Sequence, residues 1–140
     1  MSALVRDNLS DGPATILVVD SDVLVRIVIA GYLRGCAYRV LEAATASEAM
    51  AILGEVEITI DAAVIDVELR GELNGFVLAQ WIRANRPAIK VVLAGTIAKA
   101  ASIATDLCEE GPLMTKPYDK QAVIDRIKRL LAAAAITAAK

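Results

Sequence analysis

Short apolar runs recur along the chain, each stopping at small or polar residues and each followed by a segment of helical period. The first, Thr15-Ile16-Leu17-Val18-Val19, stops at Asp20-Ser21-Asp22. A run of this length without polar alternation predicts a strand covered on both faces. A helical pattern over 23–34 follows and is closed by Gly35. Tyr38-Arg39-Val40-Leu41 predicts a second strand. Thr45 and Glu48 then have capping-box spacing and open a helix to about Leu53. The third run, Ala62-Ala63-Val64-Ile65, stops at Asp66 and leads through a polar, glycine-bearing loop into a helix over 76–84. That helix sets Phe76, Ala79 and Ile82, or Leu78 and Trp81, at core spacing and ends before Pro87. A fourth strand over 89–94 runs into Gly95-Thr96 and a small-residue helix over 98–109. Pro112-Leu113-Met114-Thr115 predicts a short fifth strand entering Lys116-Pro117. From Asp119, an N-cap, Val123, Ile124, Ile127, Leu130 and Leu131 repeat at helical spacing.

Five strand–helix units with short connections predict an α/β domain with a parallel sheet and helices on both faces. The pattern leaves the strand order open. The expected organisation is a loose leader over 1–13, one domain over 14–131, and an alanine-rich helix end over 132–140.

Composition narrows the chemistry. The chain of 140 residues suffices for one buried core, and with 56% hydrophobic but 4% aromatic residues that core is aliphatic. A net charge of -2 offers no field for nucleic acid. There is no histidine, which excludes imidazole bases, His-based triads and most zinc sites. Cys36 and Cys108 match no redox or zinc spacing and are expected to be reduced structural thiols. The first residues lack the apolar core of a signal peptide, and no apolar run reaches the roughly 20 residues a bilayer requires. A cytoplasmic protein without membrane association is expected.

The strand ends carry the candidate chemistry. Asp20 and Asp22 follow the first strand, Asp66 the third, and Lys116 the fifth. Strands one and three as neighbours, about 4.8 Å apart, would set Asp20 and Asp66 at one edge, where ligands bind in open α/β sheets. Clustered carboxylates call for a hard cation such as Mg²⁺, and a lysine adds a charge for phosphate oxygens. Together these parts suit phosphoryl transfer to an aspartate.

These residues resemble the receiver domain of two-component response regulators, in its single-domain, chemotaxis-receiver-like form. The resemblance rests on ILVVDSDVLVR, VIDVELRGELNG, VVLAGT and LMTKPYDKQAV, and spans 14–131. It implies a flavodoxin-like three-layer sandwich of five parallel strands, order 2-1-3-4-5, with five helices. It further implies that Asp66 is the phosphoacceptor and Lys116 contacts the phosphoryl group. Mg²⁺ would be held by Asp20, Asp66 and the backbone carbonyl of Glu68. Two positions depart from the family pattern. Ser21 stands where a second, metal-binding acid is usual and is a poorer ligand, and Asp22 is not expected to reach the site. Gly95 stands where a switch hydroxyl is usual, with Thr96 next to it as a substitute. Leu113 replaces a frequent aromatic.

Three functions follow. The first is a stand-alone receiver, not an enzyme in its own right, that takes phosphate from a sensor histidine kinase or phosphotransfer protein. It would signal to an unspecified downstream protein as a monomer or weak homodimer. The second is a degenerate receiver that binds partners independently of phosphate. The third is a haloacid-dehalogenase-type phosphatase, which Asp20-Ser21-Asp22 resembles, with Asp20 as nucleophile. Trp81 reads as core packing, and Arg26 and 126–129 as solvated helix faces. Part of 23–29 reads as a partner surface, and Glu68 as a charge that tunes phosphoryl hydrolysis.

Overall fold

The computed structural model describes residues 14–110. Four strands, β1 (Thr15–Val19), β2 (Arg39–Ala43), β3 (Ala62–Asp66) and β4 (Lys90–Ala94), alternate with four helices. These are α1 (Val23–Gly35), α2 (Ala46–Leu53), α3 (Gly75–Asn85) and α4 (Ile97–Glu110). The sheet is parallel with order β2-β1-β3-β4. The expected fifth strand, fifth helix and Lys116 lie outside the described residues.

The unalternating runs are the central strands. β1 is buried along its whole length and β3 up to Asp66. Period two then sorts their side chains to opposite faces. Ile16, Val18, Ala62 and Val64 pack against Val25, Ile29 and Leu33 of α1 and Ile103 and Leu107 of α4. Leu17, Val19, Ala63 and Ile65 pack against Leu53 of α2 and Leu78 and Ile82 of α3. The predicted capping box forms. Thr45 Oγ1 accepts from Glu48 N–H at 3.1 Å, and the Glu48 carboxylate reaches back to Ala44 N–H at 2.7 Å.

Several expectations are corrected. The first helix runs through Gly35, and the residue that takes a left-handed backbone (φ 74°) is Ala37. Asn74 caps the third helix, which starts at Gly75, and Phe76 faces outward at 56% exposure. Leu78, Ala79 and Ile82 form the core face, with Trp81 half-buried against it. Arg26 is no solvated residue: its side chain is 16% exposed and pairs with Glu42 at 3.2 Å.

The cysteines are also not free thiols. Cys36, at the end of α1, and Cys108, in α4, form a disulfide with Cα atoms 5.6 Å apart. The two are 72 positions apart, and only the tertiary position of α4 brings them together. That helix packs on the α1 face of the sheet. A right-handed connection to a further strand beside β4 would instead run over the α2 and α3 face.

At the N-terminal end of the sheet, Asp61 ties three strands. Its carboxylate accepts from Thr15 N–H at 2.7 Å, its N–H donates to the Thr15 carbonyl, and its carbonyl accepts from Lys90 N–H. Among the described residues no helix is long and apolar enough to cross a membrane.

Candidate functional site

The strand ends converge at the other end of the sheet. Val19 of β1 pairs with Ile65 of β3, which brings Asp20 and Asp66 side by side, and Asp66 in turn pairs with Ala94 of β4. An open cavity of about 210 Å³ lies there, lined by Asp20, Asp22, Asp66, Glu68, Gly95 and Thr96 with Val25, Ala94 and Ala100.

Each acidic group is held by local backbone. Asp20 Oδ1 accepts from Asp22 N–H at 2.8 Å, and Asp66 Oδ1 from Glu68 N–H at 3.1 Å. Asp22 Oδ1 accepts from Leu24 and Val25 N–H, the N-cap of α1. Asp22 therefore reaches the cavity wall, contrary to expectation, because capping turns its carboxylate back over the helix start. Arg26, already paired with Glu42, donates from Nη1 to the Asp20 carbonyl at 3.0 Å and fixes the end of β1. Thr96 caps α4, its Oγ1 accepting from Lys99 N–H at 3.0 Å, and it sits on the cavity wall beside Gly95. A Cβ on Gly95 would meet only Val67 Cγ2, at 3.7 Å, so the backbone there leaves room for a side chain.

Burial pushes the Asp20 carboxyl up to about 6; the Asp22 N–H opposes this, while the charges of Asp66 and Asp22 and a hydrogen bond with the Asp66 side chain add to it. The two neighbouring carboxyl groups form an oxygen-only donor pair of the kind a hard cation takes. Among the described residues no three Asp, Glu or Cys side chains converge into a metal-binding group. Two carboxylates are nevertheless what Mg²⁺ commonly takes, with phosphate oxygens and water completing its shell. The donors present fit that ion.

A family profile for the response regulator receiver domain matches residues 16–128. This chain belongs to the response regulator receiver family. Among solved structures it is similar to NtrX from Brucella abortus in complex with ADP, at 28% identity and a TM-score of 0.55. That match covers 89% of this chain and 28% of the other, so the chain spans only about a quarter of NtrX. The receiver domain of the same NtrX is 25% identical over 84% of this chain and 98% of that one, with a TM-score of 0.54. A CheY-like receiver from Methanospirillum hungatei JF-1, 23% identical over 86% and 94% of the two chains, shares the fold at a TM-score of 0.55. No curated protein matches. The flavodoxin-like architecture and a place in two-component signalling follow from the family.

Of the residues singled out in the sequence, the receiver fold brings Asp20, Asp22, Asp66, Glu68, Gly95 and Thr96 to one cavity. Ser21 is not on its wall. Its hydroxyl donates to the Ala44 carbonyl at 2.8 Å and accepts from Arg70 N–H at 2.9 Å. Gly75 went unnoticed as a site residue. It lies directly behind the Asp66–Val67 peptide and donates its N–H to the Val67 carbonyl at 3.1 Å. Its only sequence signal is Asn74-Gly75 ahead of a helical run, which reads equally well as an ordinary cap.

The Asp20 shift gives a pH-dependent stability. The folded state holds this proton more tightly than the unfolded state, whose carboxyl keeps the ordinary value of 3.8. Stability in the absence of cations should therefore fall as pH rises from about 3.8 to about 6, and the penalty is complete above that window. Asp20→Asn should remove it. With the group half-exposed to screening solvent, the variant should gain on the order of 1 kcal/mol at pH 8 and lose most of that gain by pH 4. Urea unfolding of both proteins in EDTA at the two pH values measures this; a gain of equal size at both would refute the assignment.

Proposed function

We propose that the chain is a phosphorylated receiver: Asp66 accepts a phosphoryl group from a phosphohistidine on a sensor histidine kinase or phosphotransfer protein. It then signals through protein–protein contacts. The observation that carries this reading is the placement of the Asp66 carboxylate at the end of β3, at a cavity shared with Asp20 and Thr96. The phosphohistidine P–N bond breaks, a P–O bond forms at an Asp66 carboxylate oxygen, and the imidazole leaves with its electron pair and is protonated. The Glu68 N–H, which already contacts Asp66 Oδ1, orients the nucleophile. Mg²⁺, held by Asp20, Asp66 and the Glu68 carbonyl, would neutralise the phosphoryl oxygens. Thr96 keeps its hydroxyl proton while capping α4, so it can donate to an acceptor in the cavity in place of the side chain that Gly95 lacks. The family resemblance assigns the remaining phosphate contact to Lys116, which lies outside the described residues.

A second reading is a binding module that works without phosphate. The engagement of the Ser21 hydroxyl in loop contacts and the bare backbone at Gly95 favour it. In the phosphatase reading Asp20, not Asp66, is the nucleophile.

Intact mass after incubation with acetyl phosphate and Mg²⁺ decides among them. The expected result is a single phosphoryl adduct on the wild type that is absent from Asp66→Asn. An adduct that persists in Asp66→Asn and disappears in Asp20→Asn would assign the nucleophile to Asp20. No adduct on folded wild type would select the binding module.

A further inference from the structure

Ser21 occupies a position from which a side chain can hold three loops together. Its residue joins β1 to α1, its hydroxyl donates to the Ala44 carbonyl in the β2–α2 connection, and the same oxygen accepts from Arg70 N–H in the β3–α3 loop. The partners are 23 and 49 positions away along the chain, so these are tertiary ties and not local turn chemistry. Ala44 is itself anchored, because its N–H donates to the Glu48 carboxylate of the capping box. The strands beneath are fixed by the parallel ladder. Arg70 is four positions beyond Asp66 and two beyond Glu68, within the polar loop that leads out of the cavity.

The chemistry of the two bonds selects the residue type. A hydroxyl donates one hydrogen bond while accepting another. A carboxylate could accept from Arg70 N–H but would face the Ala44 carbonyl as a second acceptor. Alanine can do neither, and threonine can do both.

We infer that Ser21 is a positioning residue that clamps the Asp66–Arg70 loop to the β1–α1 and β2–α2 connections, rather than a substitute metal ligand. This rests on Asp66 as the phosphoacceptor only for its consequence, which is that the clamp holds Asp66 and Glu68 in a reactive arrangement. The clamp itself exists without metal or phosphate.

The test separates the two. Amide hydrogen exchange is followed by NMR on metal-free, unphosphorylated wild type, Ser21→Ala and Ser21→Thr, and phosphorylation by acetyl phosphate with Mg²⁺ is timed on the same proteins. The Arg70 amide should be protected in the wild type, exchange at least tenfold faster in Ser21→Ala, and recover in Ser21→Thr. The rate of adduct formation on Asp66 should fall several-fold in Ser21→Ala and recover in Ser21→Thr. Unchanged Arg70 exchange in Ser21→Ala overturns the clamp, and a wild-type phosphorylation rate in that variant overturns its role in positioning Asp66 and Glu68. If the exchange pattern appears but the wild type takes no phosphoryl group, the phosphoacceptor reading fails while the clamp stands.

Discussion

Purified without reductant, the protein should contain no titratable thiol, and breaking Cys36–Cys108 should lower its stability by as much as about 4 kcal/mol. This magnitude comes from the entropy of the closed loop: the bond spans 72 positions, and releasing a loop of that length returns roughly this much freedom to the unfolded chain. Both cysteines are buried between α1 and α4, so the replaced sulfur atoms also leave packing defects. In a domain of this size the change corresponds to a fall in Tm on the order of 10 °C. Calorimetry of the oxidised protein, the fully reduced protein and the Cys36→Ser/Cys108→Ser variant measures it. Thiol titration of the unfolded, unreduced chain gives the direct check, and two free thiols there would sink the expectation whatever the melting curves show.

Gly75→Ala should be more damaging than its size suggests. A Cβ at this position would lie 2.1 Å from the Asp66 carbonyl oxygen, 2.7 Å from Val67 Cα and 2.9 Å from Asp66 C. All three are backbone atoms of the strand end that carries the candidate phosphoacceptor, so no side chain can swing aside to relieve the contact. Overpacking of ordinary cores costs about 1–3 kcal/mol; here the expected cost is at least about 3 kcal/mol. Any molecules that still fold should have Asp66 displaced and fail to take up phosphate. Gly31 supplies the contrast. It lies within α1 with nothing within 4 Å of a built Cβ, so Gly31→Ala should stabilise by up to about 1 kcal/mol through helix propensity. Chemical unfolding of the two variants side by side tests both. Equal, small effects would show that α3 does not press on the end of β3.

The contrast between these glycines also marks what could be read from the chain. Uninterrupted apolar runs located β1 and β3 because burial on both faces leaves no polar alternation, and an acid at the end of each run pointed to the shared edge. Capping chemistry located the start of α2. The pairing of Cys36 with Cys108 could not be read, since it depends on which face of the sheet α4 crosses. Phe76 was misplaced because spacing alone allows two overlapping apolar faces on this helix, and only its packing on the sheet selects Leu78, Ala79 and Ile82 for the core. The role of Ser21 was missed for a related reason: its two partners belong to loops distant in sequence, and only the folded sheet brings them within reach.

Two aspartates bound β3, Asp61 just before it and Asp66 at its end, and their duties are separate. Asp61 stitches β1, β3 and β4 through backbone partners, while Asp66 faces the cavity. The two ends of the sheet can therefore be altered independently. A variant without the Asp66 carboxylate keeps the stitch and the core. The same separation means that Asp66→Asn removes a carboxylate from the cavity without touching the ties that hold the opposite end of the sheet.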